Sequence, residues 1–151
     1  MPKAEPHAND AIGPLEDAAL LAALHAASFD RPWSRVAFDD FLRRAHVQAF
    51  GTAQGFILVQ KIDAARGEIL TLAVHPDARR GGLATRLIGH AAAALPAPRL
   101  LLDVAADNTG ARKLYEKLGF IETGRRLAYY KNADDSRSDA VLMQGDFPAS
   151  M

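Results

Sequence analysis

Apolar residues recur along the chain with two periods, and the switches between them mark the elements. Leu20, Leu21 and Leu24 share one face of a helix predicted over Leu15–Ser28. Arg31-Pro32-Trp33-Ser34 breaks it, and Ser34 caps a second helix carrying Phe38, Phe41 and Leu42. Val47–Thr52 and Gly55–Ile62 read as a hairpin around Ala53-Gln54. Glu68–Val74 is a dense apolar run of strand length, expected at the centre of a sheet and ended by Pro76. Beyond a glycine pair, Leu83, Leu87, Ile88, Ala91 and Leu95 mark a helix that Pro96 and Pro98 close. Leu100–Ala105 is a further strand, with Leu100, Leu102 and Val104 on one face and Asp103 on the other. A helix over Thr109–Leu118 carries Ala111, Leu114, Tyr115 and Leu118, and Gly119 stops it. Phe120–Thr123 and Ala140–Gln144 are closing strands. Helices alternate with strands in the middle while hairpins flank the ends, which predicts an α/β fold with a mixed sheet covered by helices. Residues 1–13, polar with two prolines, are expected as a flexible tail, and 14–147 as one domain without repeat or linker.

Composition narrows the chemistry. Half of the 151 residues are hydrophobic (49%), enough for a real core. Eighteen basic residues balance eighteen acidic ones, which argues against a general nucleic-acid binder. No cysteine is present, so disulfides, thiolate metal sites and a cysteine nucleophile are excluded. No stretch is long and apolar enough to cross a bilayer. The run Ala18–Ala27 follows Glu16 and Asp17, where a signal peptide would carry positive charge, and a cytoplasmic location is expected. His25, His46, His75 and His90 have no metal-ligand spacing, and no metal is expected.

The most informative stretch is Leu72-Ala73-Val74-His75-Pro76-Asp77-Ala78-Arg79-Arg80-Gly81-Gly82-Leu83-Ala84, a buried strand running into a basic, glycine-containing turn that opens a helix. Helix N-termini expose unpaired amides and partial positive charge, glycines allow close backbone approach, and two arginines add fixed charge. Together they suit a phosphate or pyrophosphate. A turn with glycines for geometry and arginines for solubility would look the same. Neither G-x-x-x-x-G-K-[ST] nor G-x-G-x-x-G is present.

Arg79-Arg80-Gly81-Gly82-Leu83-Ala84 resembles the [QR]-x-x-G-x-[GA] signature of the GNAT superfamily of N-acyltransferases. Leu102-Asp103-Val104, Asp107-Asn108 and Leu114-Tyr115-Glu116-Lys117-Leu118-Gly119-Phe120 follow in the order of that superfamily. Pro32-Trp33-Ser34 with Phe38, the Tyr129-Tyr130 pair and Asp139-Ala140-Val141-Leu142-Met143 extend the likeness to RimI-type enzymes, over roughly residues 29–144. Those enzymes acetylate the N-terminal alanine of a small-subunit ribosomal protein. The resemblance implies a GNAT-type sheet, mostly antiparallel with a splayed parallel pair and helices on both faces. It implies acetyl-CoA as co-substrate, a protein or peptide N-terminus as partner, and direct attack of the amine on the thioester. The chain departs from the RimI pattern in carrying Asp103 where glutamate is usual, Gly81 at the third signature position, and a short proline-rich turn before Leu100.

Residue roles follow from that likeness. Arg79 through Thr85 would hold the coenzyme pyrophosphate. The amides of Leu72, Ala73 and Val74 would line its arm by strand addition, that of Val74 serving an oxyanion. Asn108 would meet the coenzyme, or simply cap its helix. Asp103 would be the base, or a strand-end carboxylate satisfied by nearby amides. Glu68 is the second candidate base, or a solvated strand-start residue. Aspartate is about 1.5 Å shorter in reach than glutamate, a gap that a bridging water spans. Tyr115 would be the general acid for the departing thiolate, or a core aromatic. An α-amine with pKa about 7.7–8.0 is about two to three units easier to deprotonate than a lysine, so a modest base suffices. Trp33 reads as a core anchor or a peptide-groove wall. Arg125-Arg126 reads as a solvated face or a contact to an acidic peptide or ribosomal RNA, and Tyr129-Tyr130 as a peptide entrance or a packed strand end. Acetylation of a small amine and a non-catalytic coenzyme A-binding module are the alternative functions.

Overall fold

The computed structural model describes residues 11–95 and 98–147. Most of the expected tail, residues 1–10, lies outside them, as does Pro96. Seven strands form a sheet in the order β1-β2-β3-β4-β5-β7-β6. Strands β4 and β5 pair in parallel; β1 with β2, β5 with β7 and β6 with β7 are antiparallel. This is the expected mixed α/β class.

The described chain divides into two compact units. The first runs up to Val59 and resumes over Thr71–Ala91. It holds β1 (Gly13–Leu15), α1 (Ala18–Ala26), α2 (Arg35–Leu42), β2 (Val47–Thr52), most of β3 (Gly55–Lys61), the end of β4 (Arg66–Val74) and most of α3 (Leu83–Ala94). Helix α1 starts three residues later than expected. Gly13–Leu15 is a strand paired with Ala49–Gly51, and Asp17 fixes the start of α1 by accepting from the amides of Ala19 and Leu20 at 3.0 and 3.2 Å. Ser34 caps α2 as predicted, accepting from the Ala37 amide at 3.1 Å. Leu21, Phe38, Phe56, Leu58 and Leu87 are fully buried and form this unit's core. Each such side chain contributes about 1.5–3 kcal/mol on leaving water.

The second unit holds Gln60–Leu70 and the described residues from Ala92 on, with β5 (Arg99–Ala105), α4 (Thr109–Lys117), β6 (Ile121–Lys131) and β7 (Arg137–Asp146). Along β5 Leu100, Leu102 and Val104 are buried while Leu101, Asp103 and Ala105 are half-buried, the alternation read from the sequence. Gly119, at φ 98°, ends α4 as expected. Strand β6 is far longer than the predicted Phe120–Thr123. It is the sheet's last strand, almost wholly exposed, with register shifts at Glu122/Gly124 and Arg126/Tyr130. An exposed, bulged edge needs no apolar alternation, so the pattern could not reveal it.

Candidate active site

In the first unit the glycine turn is shaped by two left-handed residues, Arg80 at φ 71° and Gly82 at φ 81°. Such a backbone strains arginine and suits glycine. A single 3₁₀ turn over Pro76–Ala78 precedes them, and His75 Nδ1 accepts from the Asp77 amide at 3.1 Å. Helix α3 begins at Leu83, and the Gly82 carbonyl accepts the Arg86 amide at 3.0 Å. The amides of Leu83, Ala84 and Thr85 therefore have no acceptor within the helix. A side chain on Gly82 would meet nothing within 4 Å at its Cβ, so the space beside Gly82 itself is open. Free amides, helix polarity and open space fit an anionic group. Gly81 and Arg80 are exposed in the same turn. Arg79 is exposed too, but its guanidinium is engaged within the unit: its Nε donates to the Val74 carbonyl at 3.1 Å and its Nη2 to Ser28 Oγ at 3.2 Å. On β4, Leu72 is half-buried while Ala73 and Val74 are buried.

In the second unit the parallel register sets Glu68 beside Leu101 and Ile69 beside Leu102. Paired residues share a face, so Glu68 lies on the same face as Leu101 and Asp103, opposite Ile69 and Leu102. Both carboxylates are half-buried. Burial raises the Glu68 carboxyl above its usual range, and the negative charge of Asp103 raises it further; the Gln60 amide, donating at 3.3 Å, and the Arg126 guanidinium oppose this. Tyr115 is buried on α4, 7% exposed, with its ring edge-on to Phe120 at 5.5 Å. Burial pushes its phenol up to about 12. Tyr130 is also pushed up to about 12, first by burial, then by the charge of Asp103 and by Tyr129 and Tyr115. Asp103 thus lies electrostatically beside both Glu68 and Tyr130, and Tyr130 beside Tyr115 and Arg126, although these residues are far apart in sequence. Asn108 caps α4, its Oδ1 accepting from the Ala111 amide at 3.2 Å.

Sequence reasoning did not place Gln60 or Tyr130 beside the carboxylates. Strand alternation gives the face of Gln60, but only the β6–β7 register, Tyr130 opposite Ser138, brings in Tyr130. It also passed over His25, which is 2% exposed. Its Nδ1 accepts from the Trp33 amide at 3.0 Å, so the neutral ring carries its proton on Nε2, 3.1 Å from Thr71 Oγ1. Phe29 and Trp33 stack on this ring at 4.2 and 5.1 Å, and Trp33 stacks on Phe41 at 5.2 Å. Trp33 is an anchor of this aromatic cluster. Arg126 lies 5.1 Å from the Tyr129 ring centre, and Arg125 pairs with Glu122 at 3.0 Å. Among the described residues no group of three or more His, Asp or Glu side chains is placed to hold a metal ion, and no helix is long and apolar enough to cross a membrane.

Comparison with known proteins agrees with this geometry. The model of the acetyltransferase (GNAT) family matches residues 17–120. The chain is 34% identical to the [ribosomal protein bS18]-alanine N-acetyltransferase of Escherichia coli K12, over 93% of this chain and 98% of that one. It is 31% identical to the N-alpha-acetyltransferase RimI of Mycobacterium tuberculosis, over 86% and 87% of the two chains. The crystal structure of the ribosomal-protein-S18-alanine N-acetyltransferase from E. coli superposes with a TM-score of 0.83 at 28% identity, covering 93% of this chain and 96% of that one. Arabidopsis thaliana NAA60, solved in complex with acetyl-CoA, shares the fold with a TM-score of 0.77 at 18% identity, covering 90% of this chain and 97% of that one.

Proposed function

Because the chain belongs to the acetyltransferase (GNAT) family, we propose that it acetylates a protein N-terminal α-amine from acetyl-CoA, the acceptor being the N-terminal alanine of a small-subunit ribosomal protein. Acetyl-CoA supplies the activated acyl group as a thioester. The turn over Arg80–Thr85 holds its pyrophosphate through the α3 amides, the amides of Leu72, Ala73 and Val74 align its arm, and Asn108 contacts it while capping α4. The α-amine must arrive neutral. Asp103, with a bridging water to extend its reach, takes the amine's proton, and Tyr115 donates to the sulfur. Glu68, on the same face, gives the site a second carboxylate, and Tyr130 lines the acceptor's approach.

One observation carries the reading: the half-buried carboxylates of Glu68 and Asp103 share one face of adjacent parallel strands, and Tyr130 neighbours both Asp103 and the buried Tyr115. The test is a pH–rate profile of wild type, Asp103→Asn and Glu68→Gln on one alanine-first peptide, with serine-, glycine- and methionine-first peptides and polyamines as competing acceptors. Asp103→Asn should lose about 10² to 10⁴ in kcat/KM near pH 7, and the loss should shrink above about pH 8 as the amine deprotonates unaided. Rate loss confined to Glu68→Gln would move the base to β4. Preferred turnover of a polyamine would replace the peptide by a small amine.

A further inference from the structure

Arg79 opens the phosphate-loop signature, yet its guanidinium turns back into its own unit. The peptide joining Val74 to His75 is trans, so the Val74 carbonyl and the His75 amide point in opposite directions. The His75 amide donates to the Gln54 carbonyl, in the turn between β2 and β3, at 2.7 Å. The Val74 carbonyl therefore faces the other edge of β4. There it accepts twice, from Arg79 Nε at 3.1 Å and from Ser28 Oγ at 3.3 Å, while Arg79 Nη2 donates to Ser28 Oγ at 3.2 Å. The Val74 amide shares that edge, since an extended residue directs its N–H and C=O to the same side. Ser28 belongs to the turn between α1 and α2, which is tied to β4 a second time: His25 Nε2 meets Thr71 Oγ1, and the Trp33 amide donates to His25 Nδ1. The turn is therefore held at both Thr71 and Val74.

We propose that Arg79 and Ser28 are positioning residues for acetyl transfer: they fix the Val74 peptide at the strand edge that meets the acyl arm, and they lock the α1–α2 turn to it. Arg79 acts through the hydrogen bonds it donates, not through charge on a phosphate. The proposal rests on the acetyltransferase reading above. Its chemistry makes a distinctive demand, because a neutral donor of similar length can serve a carbonyl but cannot replace a cation on a pyrophosphate.

The experiment compares Arg79→Gln, Arg79→Ala and Ser28→Ala with wild type. Coenzyme A affinity is measured by calorimetry at about 0.05 and 0.3 M salt, kcat and KM are measured on the acceptor peptide, and emission of the sole tryptophan, Trp33, is recorded without ligand. Arg79→Gln should stay within about threefold of wild type in coenzyme affinity and in kcat/KM, with the same salt dependence. Arg79→Ala should lose about tenfold or more in kcat/KM, and both alanine variants should shift Trp33 emission to the red as the turn loosens. A glutamine variant as weak as alanine, with the salt dependence of coenzyme binding flattened, would make the guanidinium a phosphate ligand and overturn the proposal. Unchanged Trp33 emission in both alanine variants would also overturn it, by showing that the turn is not held there. Calorimetry and emission need no acceptor, so a wrong acceptor leaves them decisive. A wild type that binds no coenzyme A would instead defeat the acetyltransferase reading and the proposal with it.

Discussion

Acid should loosen the aromatic cluster around His25. The ring is 2% exposed, accepts the Trp33 amide at Nδ1 and donates from Nε2 to Thr71, and the groups that touch it are uncharged. A proton added at Nδ1 would face the Trp33 N–H, donor against donor, in an apolar surround. Burial accordingly lowers the imidazole pKa from 6.5 to about 4. The folded pKa is depressed, so the neutral ring's contribution is complete above about pH 6.5 and is lost as pH falls towards 4, where the unfolded chain holds the extra proton. Two and a half units correspond to roughly 3 kcal/mol, which for a chain of this size lowers Tm by on the order of 6 to 12 °C. The assay is thermal unfolding followed by circular dichroism between pH 7.5 and 4, for wild type and His25→Gln, whose amide can accept from Trp33 and donate to Thr71 without titrating. Other acid-linked groups cancel in the difference between the two proteins. The wild-type stability should fall more steeply, by about 1.4 kcal/mol per pH unit below pH 6.5. Parallel curves, or a ring titration by NMR with a midpoint near 6.5, would refute the reasoning.

Two further changes probe the helix starts. Gly82→Asp places a side chain at φ 81° and a negative charge in the open space at the start of α3, and calorimetry should show coenzyme A affinity falling about tenfold or more, roughly 1.4 kcal/mol. Asn108→Ala removes the α4 cap and should cost about 1 kcal/mol in urea unfolding, whereas Asn108→Asp keeps the cap and should not.

How far the sequence carried depends on what each signal encodes. Ser34, Gly119 and the alternation along β5 were legible because caps, stops and strand faces are local matters. The start of α1 was not, because Leu15 fits a helix face and a strand equally well; it is pairing with Ala49 that decides. The length of β6 was hidden because its polar residues face water and its bulges break the period. At the candidate site, resemblance named Asp103, Tyr115 and the glycine turn. It could not foresee that Glu68 and Asp103 share a face, since register between strands is a tertiary fact. Nor could it foresee the orientation of Arg79, which depends on the distant Ser28.

Tyr115 brings two consequences of burial into opposition. Loss of water raises its phenol to about 12, so the proton is firmly held at neutral pH. The same rise weakens the phenol as an acid: full transfer to a thiolate of pKa about 8.5 would run uphill by about 5 kcal/mol. A complete proton transfer ahead of bond cleavage is therefore the poorer route, and a hydrogen bond that strengthens as charge grows on sulfur is the better one. The two roles separate on the alkaline side. An ordinary phenol is half ionised near pH 10, whereas one at about 12 is about 99% protonated there. With saturating acceptor, wild-type kcat should hold level from about pH 8 to 10 if the phenol's proton is the one required. Tyr115→Phe should keep its fold, because the ring packs edge-on to Phe120 without help from the hydroxyl, and should lower kcat by about 10² at every pH in that range. A wild-type decline with a midpoint near 10 that vanishes in Tyr115→Phe would show that the phenol is less buried in the working enzyme. Wild-type turnover by Tyr115→Phe would leave Tyr115 a core aromatic and nothing more.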